Sequence, residues 1–385
     1  MVTDPDSTPN PSADFWRGKR VLLTGHTGFE GSWLGLWLRR LGAQVHGFAL
    51  PPDSTPSLHG VLAPEARALW VGGDIRDAQA LAQTVARVRP EVVLHLAALA
   101  RVRAHSTQPP DHAAINFMGT AHLLEALRTL DTVRAVVVVN SGQAHRQQHP
   151  AFRRREDDAL VGHDPDSANR AGIDPAVACN GSALLARRGV AVATARVGNL
   201  MGGGDWSADR LLPDAVRAWQ AGTPLLVRHP QALRPWQHVL EPLAGILRLA
   251  EKLWAQPGLA GAYHFGPARS EAATVAEVVG LAAQAHGSGR WHADETPVAP
   301  HDAGRLALEG ACAGTVEGVQ SRWPLQEGVR RTMHWYRRQA QGAAALTLCQ
   351  RDIDEYEAAM PRTVPPHGAA LQGRVKSRSG AGIAA

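Results

Sequence analysis

Continuous runs of β-branched and aliphatic residues recur through the first half of the chain: RVLLTG, AQVHGFAL, ALWVGGDI, EVVLHLAA, RAVVVVNS and VAVATARVGN. Such runs read as strands buried on both faces. Between them lie helix-length segments near 31–41, 78–88, 112–127 and, less regularly, 167–187. Apolar strands that need cover on both sides, separated by helices, predict an α/β fold with a Rossmann-type, doubly wound parallel sheet and right-handed crossovers. After Asn199 the regularity loosens into Gly, Pro and Trp loops with scattered helices such as EPLAGILRLAEKLW, which predicts a smaller C-terminal lobe folded over the ligand edge of the sheet.

Composition narrows the class without changing that picture. The 385 residues are 44% hydrophobic and 19% charged, the balance of an ordinary globular chain. The start MVTDPDSTPNPSAD lacks the basic and apolar regions of a secretory signal, and no stretch is long and apolar enough to span a membrane, so a cytoplasmic protein is expected. Cys179, Cys312 and Cys349 are odd in number and widely spaced, giving neither a disulfide framework nor a metal pattern. The net charge of +5 is almost all arginine interleaved with acids, which argues against a nucleic-acid partner.

Candidate chemistry begins at the first strand, where RVLLTG runs into HTGFEGSWLGLWLRRLG with glycines at 25, 28 and 31. GxxGxxG between a strand and a helix permits a tight turn, close approach to a pyrophosphate and close helix packing, so dinucleotide binding is expected there. Gly25, Gly28, Phe29 and Gly31 are its expected contacts. GGDIRD places Asp74 and Ile75 at the end of the third strand beside the adenine, HLAA places Leu96, Ala97 and Ala98 at the end of the fourth, and Asn116 follows. FALPPDS has no acid at the tip of the second strand, so the carboxylate for the ribose hydroxyls is missing or supplied late by Asp53, and NAD and NADP stay open on these residues. The chain then divides into a disordered leader (1–14), a dinucleotide-binding domain (15–200), a mainly substrate-binding lobe with interleaved segments (201–357) and a disordered tail (358–385).

LLTGHTGFEGSWL, GDIRD, HLAA, NFMGT, RVGNLMGGGDWSADRLLPD, RPWQHVLEPLAGILRLAE, YHFGP and RWPLQEGVRRTMHWYRRQ together resemble the extended short-chain dehydrogenase/reductases, the NAD-dependent epimerase/dehydratase family, and within it the branch that dehydrates CDP-glucose. The resemblance runs from about Phe15 to Glu357. It implies NAD as cofactor, a sugar nucleotide, CDP-linked, as ligand, and a homodimer paired through long helices. It further implies a hydride taken from the sugar C4, loss of water across C5 and C6, and return of the hydride at C6. Asn199, Trp206, Arg210, Arg234 and His238 fall in segments that in this family close over the sugar nucleotide; core packing is the competing reading for Trp206 and Trp236.

Carried over position by position, the catalytic set is incomplete. Ser141 matches the family's hydroxyl residue, but Gly142 and Gln143 stand where an Asp-Lys pair assists elimination, and neither exchanges a proton near neutral pH. Asp166 and Arg170 occupy the positions of the tyrosine base and its lysine, and Glu30 replaces a lysine of the glycine turn. General acid-base catalysis contributes roughly 10² to 10⁴ in rate, so losing base and elimination pair together implies impaired family chemistry. His145 is a speculative replacement base, with His149, Glu156 and His163 nearby; no metal site is expected. The helix that should follow contains Asp174, Pro175, Asn180 and Gly181, which predicts a kinked, shortened or late-starting element near Pro175. Three readings follow: an enzyme of the family's class using substituted residues, an inactive homologue acting as regulator or oligomer partner, and a different activity in the same pocket.

Overall fold

The computed structural model describes residues 10–62, 64, 67–99, 113–141, 165–180, 184–267, 272–287, 289–294 and 321–361, with backbone alone at 165–170 and 180. The six apolar runs form β1 (Arg20–Thr24), β2 (Gln44–Ala49), β3 (Leu69–Gly72), β4 (Val92–His95), β5 (Ala135–Ser141) and β6 (Ala191–Val197); GAYHF adds β7 (Gly261–Phe265). These pair in parallel in the order β3-β2-β1-β4-β5-β6-β7. The order in which the chain adds strands switches from one side of β1 to the other between β3 and β4, and that switch opens a crevice at the C-terminal tips of β1 and β4.

Each face of the sheet has its own core. Leu23, Val45, Leu94 and Val137 pack with α1 (Phe29–Arg40) on one side. Leu22, Val93, Val136 and Val138 pack on the other with α2 (Ala78–Val88), α3 (Gly119–Leu127) and α4 (Pro165–Asn180). The two-residue period of the strands sorts neighbours to opposite faces, so both faces must be covered. The edge strand β3 departs from this, exposing Leu69 and Trp70.

Helix α4 corrects the expected break. Pro165 occupies its first position, where a fixed φ suits a helix and the missing N–H costs nothing, and the helix continues through Pro175 to Asn180 instead of starting there. An interior proline costs about 3 kcal/mol. Buried Ile173 and Val177 offset that cost through tertiary contacts, and Asp174 between them bonds to the strand tips.

Beyond β6 come α5 (Leu211–Gln220), α6 (Leu240–Ala255), α7 (Val275–His286), α8 (Leu325–Ala340) and α9 (Ala345–Ala358). α6 returns to cover β5 and β6, and β7 rejoins the sheet, so the second half of the chain is interleaved with the first. Glu251 of α6 is buried and draws in donors: Ser12 N at 2.8 Å and Trp16 Nε1 at 2.7 Å, with Arg248 Nη1 at 2.7 Å. The packed chain therefore reaches back to Asn10, earlier than the leader boundary read from composition, and Ser12 caps a short helix at Ala13–Trp16.

Helices α8 and α9 are held to this body by a second buried acid. Glu241 accepts from Arg322 N at 3.0 Å, Trp323 N at 2.7 Å and the Tyr356 hydroxyl at 3.2 Å, and burial pushes its carboxyl up to about 7. From there α8 braces the GGGDW loop: the Tyr336 hydroxyl donates to Asp205 O, and a Cβ on Gly203 would lie 2.0 Å from the Trp335 ring. Trp33 Nε1 of α1 donates to Gly203 O at 3.0 Å, closing the contact from the sheet side. Among the described residues no helix is long and apolar enough to cross a membrane, Cys179 and Cys349 are free thiols, and Cys312 lies outside them. Because Trp335 is itself fully packed, Gly203→Ala is expected to destabilise the fold by about 1–3 kcal/mol, read as a lower midpoint in denaturant unfolding.

Candidate cofactor and substrate site

At the tip of β1 the chain turns on Gly25, whose φ of +71° lies in the left-handed region that glycine favours. A Cβ there would sit 2.7 Å from Ala97 N, and one on Gly31 would sit 2.2 Å from Gly25 O. These two glycines close the turn against itself and against the end of β4. Gly28 differs: a Cβ would meet only Gly25 O, at 3.4 Å, and Gly28 leads into α1 with no side-chain cap. The start of α1 is thereby left open, with its dipole and first-turn N–H groups suited to an anion. Phe29 packs toward Gly202, so the glycine turn and the GGGDW loop meet.

A buried chain of hydrogen bonds fixes the β4 end opposite this turn. Ala97 N donates to Thr24 Oγ1 at 3.2 Å, and the Thr120 hydroxyl donates to Asn116 O at 2.6 Å. Between them His95 contacts Thr24 Oγ1 through Nδ1 at 2.6 Å and Thr120 Oγ1 through Nε2 at 3.0 Å. With the Thr120 proton committed to Asn116 O, His95 must donate from Nε2 and accept at Nδ1. Burial lowers its pKa to about 4 and keeps it neutral. Asn116, in the π-helical turn Ala113–Met118, accepts from Leu99 N at 2.8 Å, while its buried Nδ2 has no partner among the described residues. That orphaned donor beside the β4 tip, together with the open side of Gly28, fits a bound dinucleotide.

The remaining cofactor positions are mixed. Ile75 is buried against Gly119, Leu96 and Ala97 are half-buried, and Ala98 is exposed. Asp74 is held by Arg76, whose Nη2 lies 2.6 Å from Oδ2, and this bond holds the carboxyl below its usual range. Sequence reasoning missed His26 inside the glycine turn. Its ring packs edge-on to His59 and Trp70, fits only because Gly47 has no Cβ, and is lowered to about 4 by burial. Only that glycine, opposite a histidine in neighbouring elements, hinted at the packing.

At the β5 tip Ser141 is half-buried, and its amide donates to Asn140 Oδ1 at 2.8 Å. Asn140 Nδ2 donates to Asp174 Oδ1 at 2.8 Å, Arg196 Nε to Asp174 Oδ2 at 2.5 Å, and Arg196 Nη1 faces His264 Nε2 at 3.1 Å. This network was also missed; its one signal was an acid on the strand-facing side of a helix. Asp166 and Arg170 lie in α4, where only the backbone is described, position 170 one turn before Asp174. Gly142, Gln143 and His145 lie outside the described residues.

The chain has three tyrosines, and all are committed elsewhere. Tyr263 donates to Leu259 O, Tyr336 to Asp205 O and Tyr356 to Glu241, and burial raises the last two phenols well above their usual range. Of the three lysines, Lys19 lies over Trp254 near the start of β1, Lys252 is buried in α6, and Lys376 lies outside the described residues. Among the described residues, no group of three or more His, Cys, Asp or Glu is placed to hold a metal ion.

On the substrate side, Asn199 begins a short strand paired with Trp236–His238. Trp206 is half-buried edge-on to Trp335 and Tyr336, Arg210 leads into α5, and Arg234 lies in a short antiparallel pair with Ala273. Trp236 is buried, its Nε1 without a partner among the described residues. His238 is only 1% exposed, wedged between Trp33 and Trp323, and burial lowers it to about 3. The loop at Gly202 and Gly203 meets Phe29 and Trp33 of α1, and His238 is seated in the interior.

The sheet order, the glycine turn at the switch point and the open helix N-terminus define a Rossmann-type dinucleotide-binding protein. Residues 21–258 match the NAD dependent epimerase/dehydratase family, and the chain belongs to it. It is 36% identical over 356 residues to the CDP-glucose 4,6-dehydratase of Salmonella typhimurium, covering 91% of this chain and 99% of that protein. Among solved structures, UDP-glucose 4-epimerase from Stenotrophomonas maltophila with bound NAD and formylated UDP-arabinopyranose aligns with a TM-score of 0.72 at 19% identity, covering 84% of this chain and all of that one. The dTDP-glucose 4,6-dehydratase of Bacillus anthracis in complex with NAD aligns at 0.68 and 18% identity, covering 85% and 99%.

The neutral His95 ties stability to pH. A base whose folded pKa lies below its unfolded value contributes stability that is complete above about pH 6.5 and is lost as pH falls toward 4. The loss is on the order of 3 kcal/mol for this shift. Unfolding midpoints measured from pH 7 to 4 should fall less steeply in His95→Asn than in the unaltered protein.

Proposed function

We propose that this protein binds NAD and a CDP-linked sugar nucleotide in the arrangement of its family, and that its dehydratase chemistry is impaired. The observation that carries this reading is the contrast between an intact glycine turn and the commitment of all three tyrosine hydroxyls to interior partners. In this reading the start of α1 holds the pyrophosphate, and Asn116 offers Nδ2 beside the β4 tip. When bound, NAD supplies a hydride acceptor and donor at the sugar.

Ser141 orients a sugar hydroxyl from the β5 tip. Asp166 stands for the base in the positional resemblance, but a carboxylate near pKa 4 is a weak base for an alcohol. Arg170 can hydrogen-bond a ribose but does not titrate. Asn199, Trp206, Arg210 and Arg234 line the sugar-nucleotide side, the arginines suited to a diphosphate through paired N–H donors. Full-length similarity to a CDP-glucose 4,6-dehydratase supports the CDP-linked sugar as the ligand class. A homodimer through α3 and α4 is part of the proposal, supported by the exposed apolar side chains of Phe117 and Met118 in the turn that leads into α3.

Purified protein given CDP-glucose and NAD should bind both by calorimetry yet form little 4-keto-6-deoxy product, and Asp166→Tyr alone should leave the rate low. Robust turnover by the unaltered protein would replace this reading with an enzyme working through substituted groups. Glu30 lies in the first turn of α1, where an acid repels a bound phosphate. Glu30→Lys should therefore tighten NAD binding by about two- to tenfold, with the gain shrinking as salt is raised.

A further inference from the structure

Helix α4 has little intrinsic ability to hold its own register. Gly172 loosens its middle, and Pro175 removes the hydrogen bond that would reach Ala171 O. The residue before a proline is sterically pushed out of the α region, so Asp174 marks the point where the helix is most prone to come apart. It is also the point where the helix is tied. Asp174 is 7% exposed and bonded on both oxygens, to Asn140 Nδ2 at 2.8 Å and Arg196 Nε at 2.5 Å. Asn140 also holds the Ser141 amide at 2.8 Å, and Arg196 reaches His264 Nε2 at 3.1 Å. One carboxylate therefore connects α4 to the tips of β5 and β6 and, through Arg196, to β7.

Those tips lie on the far side of the β1/β4 switch point from β2 and β3. A dinucleotide held at its pyrophosphate by the β1 turn places one nucleoside over each side of the switch. The Asp174 network thus underlies the half of the crevice opposite the adenosine.

We propose that Asp174 is a positioning residue: its paired bonds to Asn140 and Arg196 set the register of the N-terminal half of α4 against the Ser141 strand tip and so shape the nicotinamide side of the pocket. The functional half of this proposal rests on the NAD-binding reading above; the structural half does not. It differs from a general stability role because it predicts an effect confined to one helix and to one half of the ligand.

Asp174→Ala leaves Arg196 buried without its carboxylate and is prone to misfold, so the Asp174→Ala/Arg196→Met double variant, which removes both charges, accompanies it. Folded protein is compared by hydrogen exchange and by calorimetric titration with ADP-ribose and with NADH. The proposal expects amides at 169–173 to exchange at least about tenfold faster while β1 to β4 are unchanged. It expects ADP-ribose affinity to hold within about twofold while NADH affinity falls about tenfold. Unchanged exchange in α4, or a parallel loss for both ligands, overturns it. If the unaltered protein binds neither ligand, the NAD-binding reading fails, and the exchange comparison alone still decides whether Asp174 sets the helix.

Discussion

The tips of β1 and β4 have to touch, and Gly25 is what lets them. A Cβ at that residue would press into the backbone of Leu96 and Ala97, so any other residue would prise the two strands apart where the crevice opens. The buried imidazole of His95 holds the same junction from below, through hydroxyls on β1 and α3. Sterics set the distance, and a buried hydrogen-bond chain removes the freedom to relax it. The glycine turn, the β4 tip and Asn116 are then members of one rigid unit.

The opposite half of the crevice is built by different means. There the strand tips and α4 are joined through charged and amide side chains, Asp174, Arg196 and Asn140, and the helix they hold has poor propensity of its own. Close backbone packing tolerates few residue types, so it leaves a strong trace in sequence. A salt-bridged network tolerates wide change at neighbouring positions as long as its anchors stay. The two halves of one continuous fold are therefore held under different constraints, close backbone packing at the glycine turn and side-chain bonds at α4.

It also explains what could and could not be read beforehand. The six long apolar runs and the helices near 31–41 and 78–88 were legible because burial on both faces forces continuous hydrophobicity, and Asp77 caps α2 where the pattern begins. β7 was not recognised as a strand, since GAYHF is short and partly exposed at its start. The leader was drawn too long because Ser12 and Trp16 find their partner in Glu251, far away in sequence. His26 and the Asp174 network escaped for the same reason: their meaning lies in contacts between elements, which periodicity does not report.

Pro175 is the most instructive of these cases. Propensity alone argued for a break, and the penalty it assigned, about 3 kcal/mol, is real. What propensity omits is that two apolar side chains, Ile173 and Val177, and one paired carboxylate all point from the same short segment into the sheet. Burying two aliphatic side chains is worth about 1.5–3 kcal/mol each, enough to outweigh the proline without help from the ion pair. The charge–charge contact is therefore not needed to form the helix; removing water from two charges makes such pairs weak sources of net stability. Its directional bonds to Asn140 and Arg196 distinguish one register from its neighbours, which apolar contacts alone do poorly.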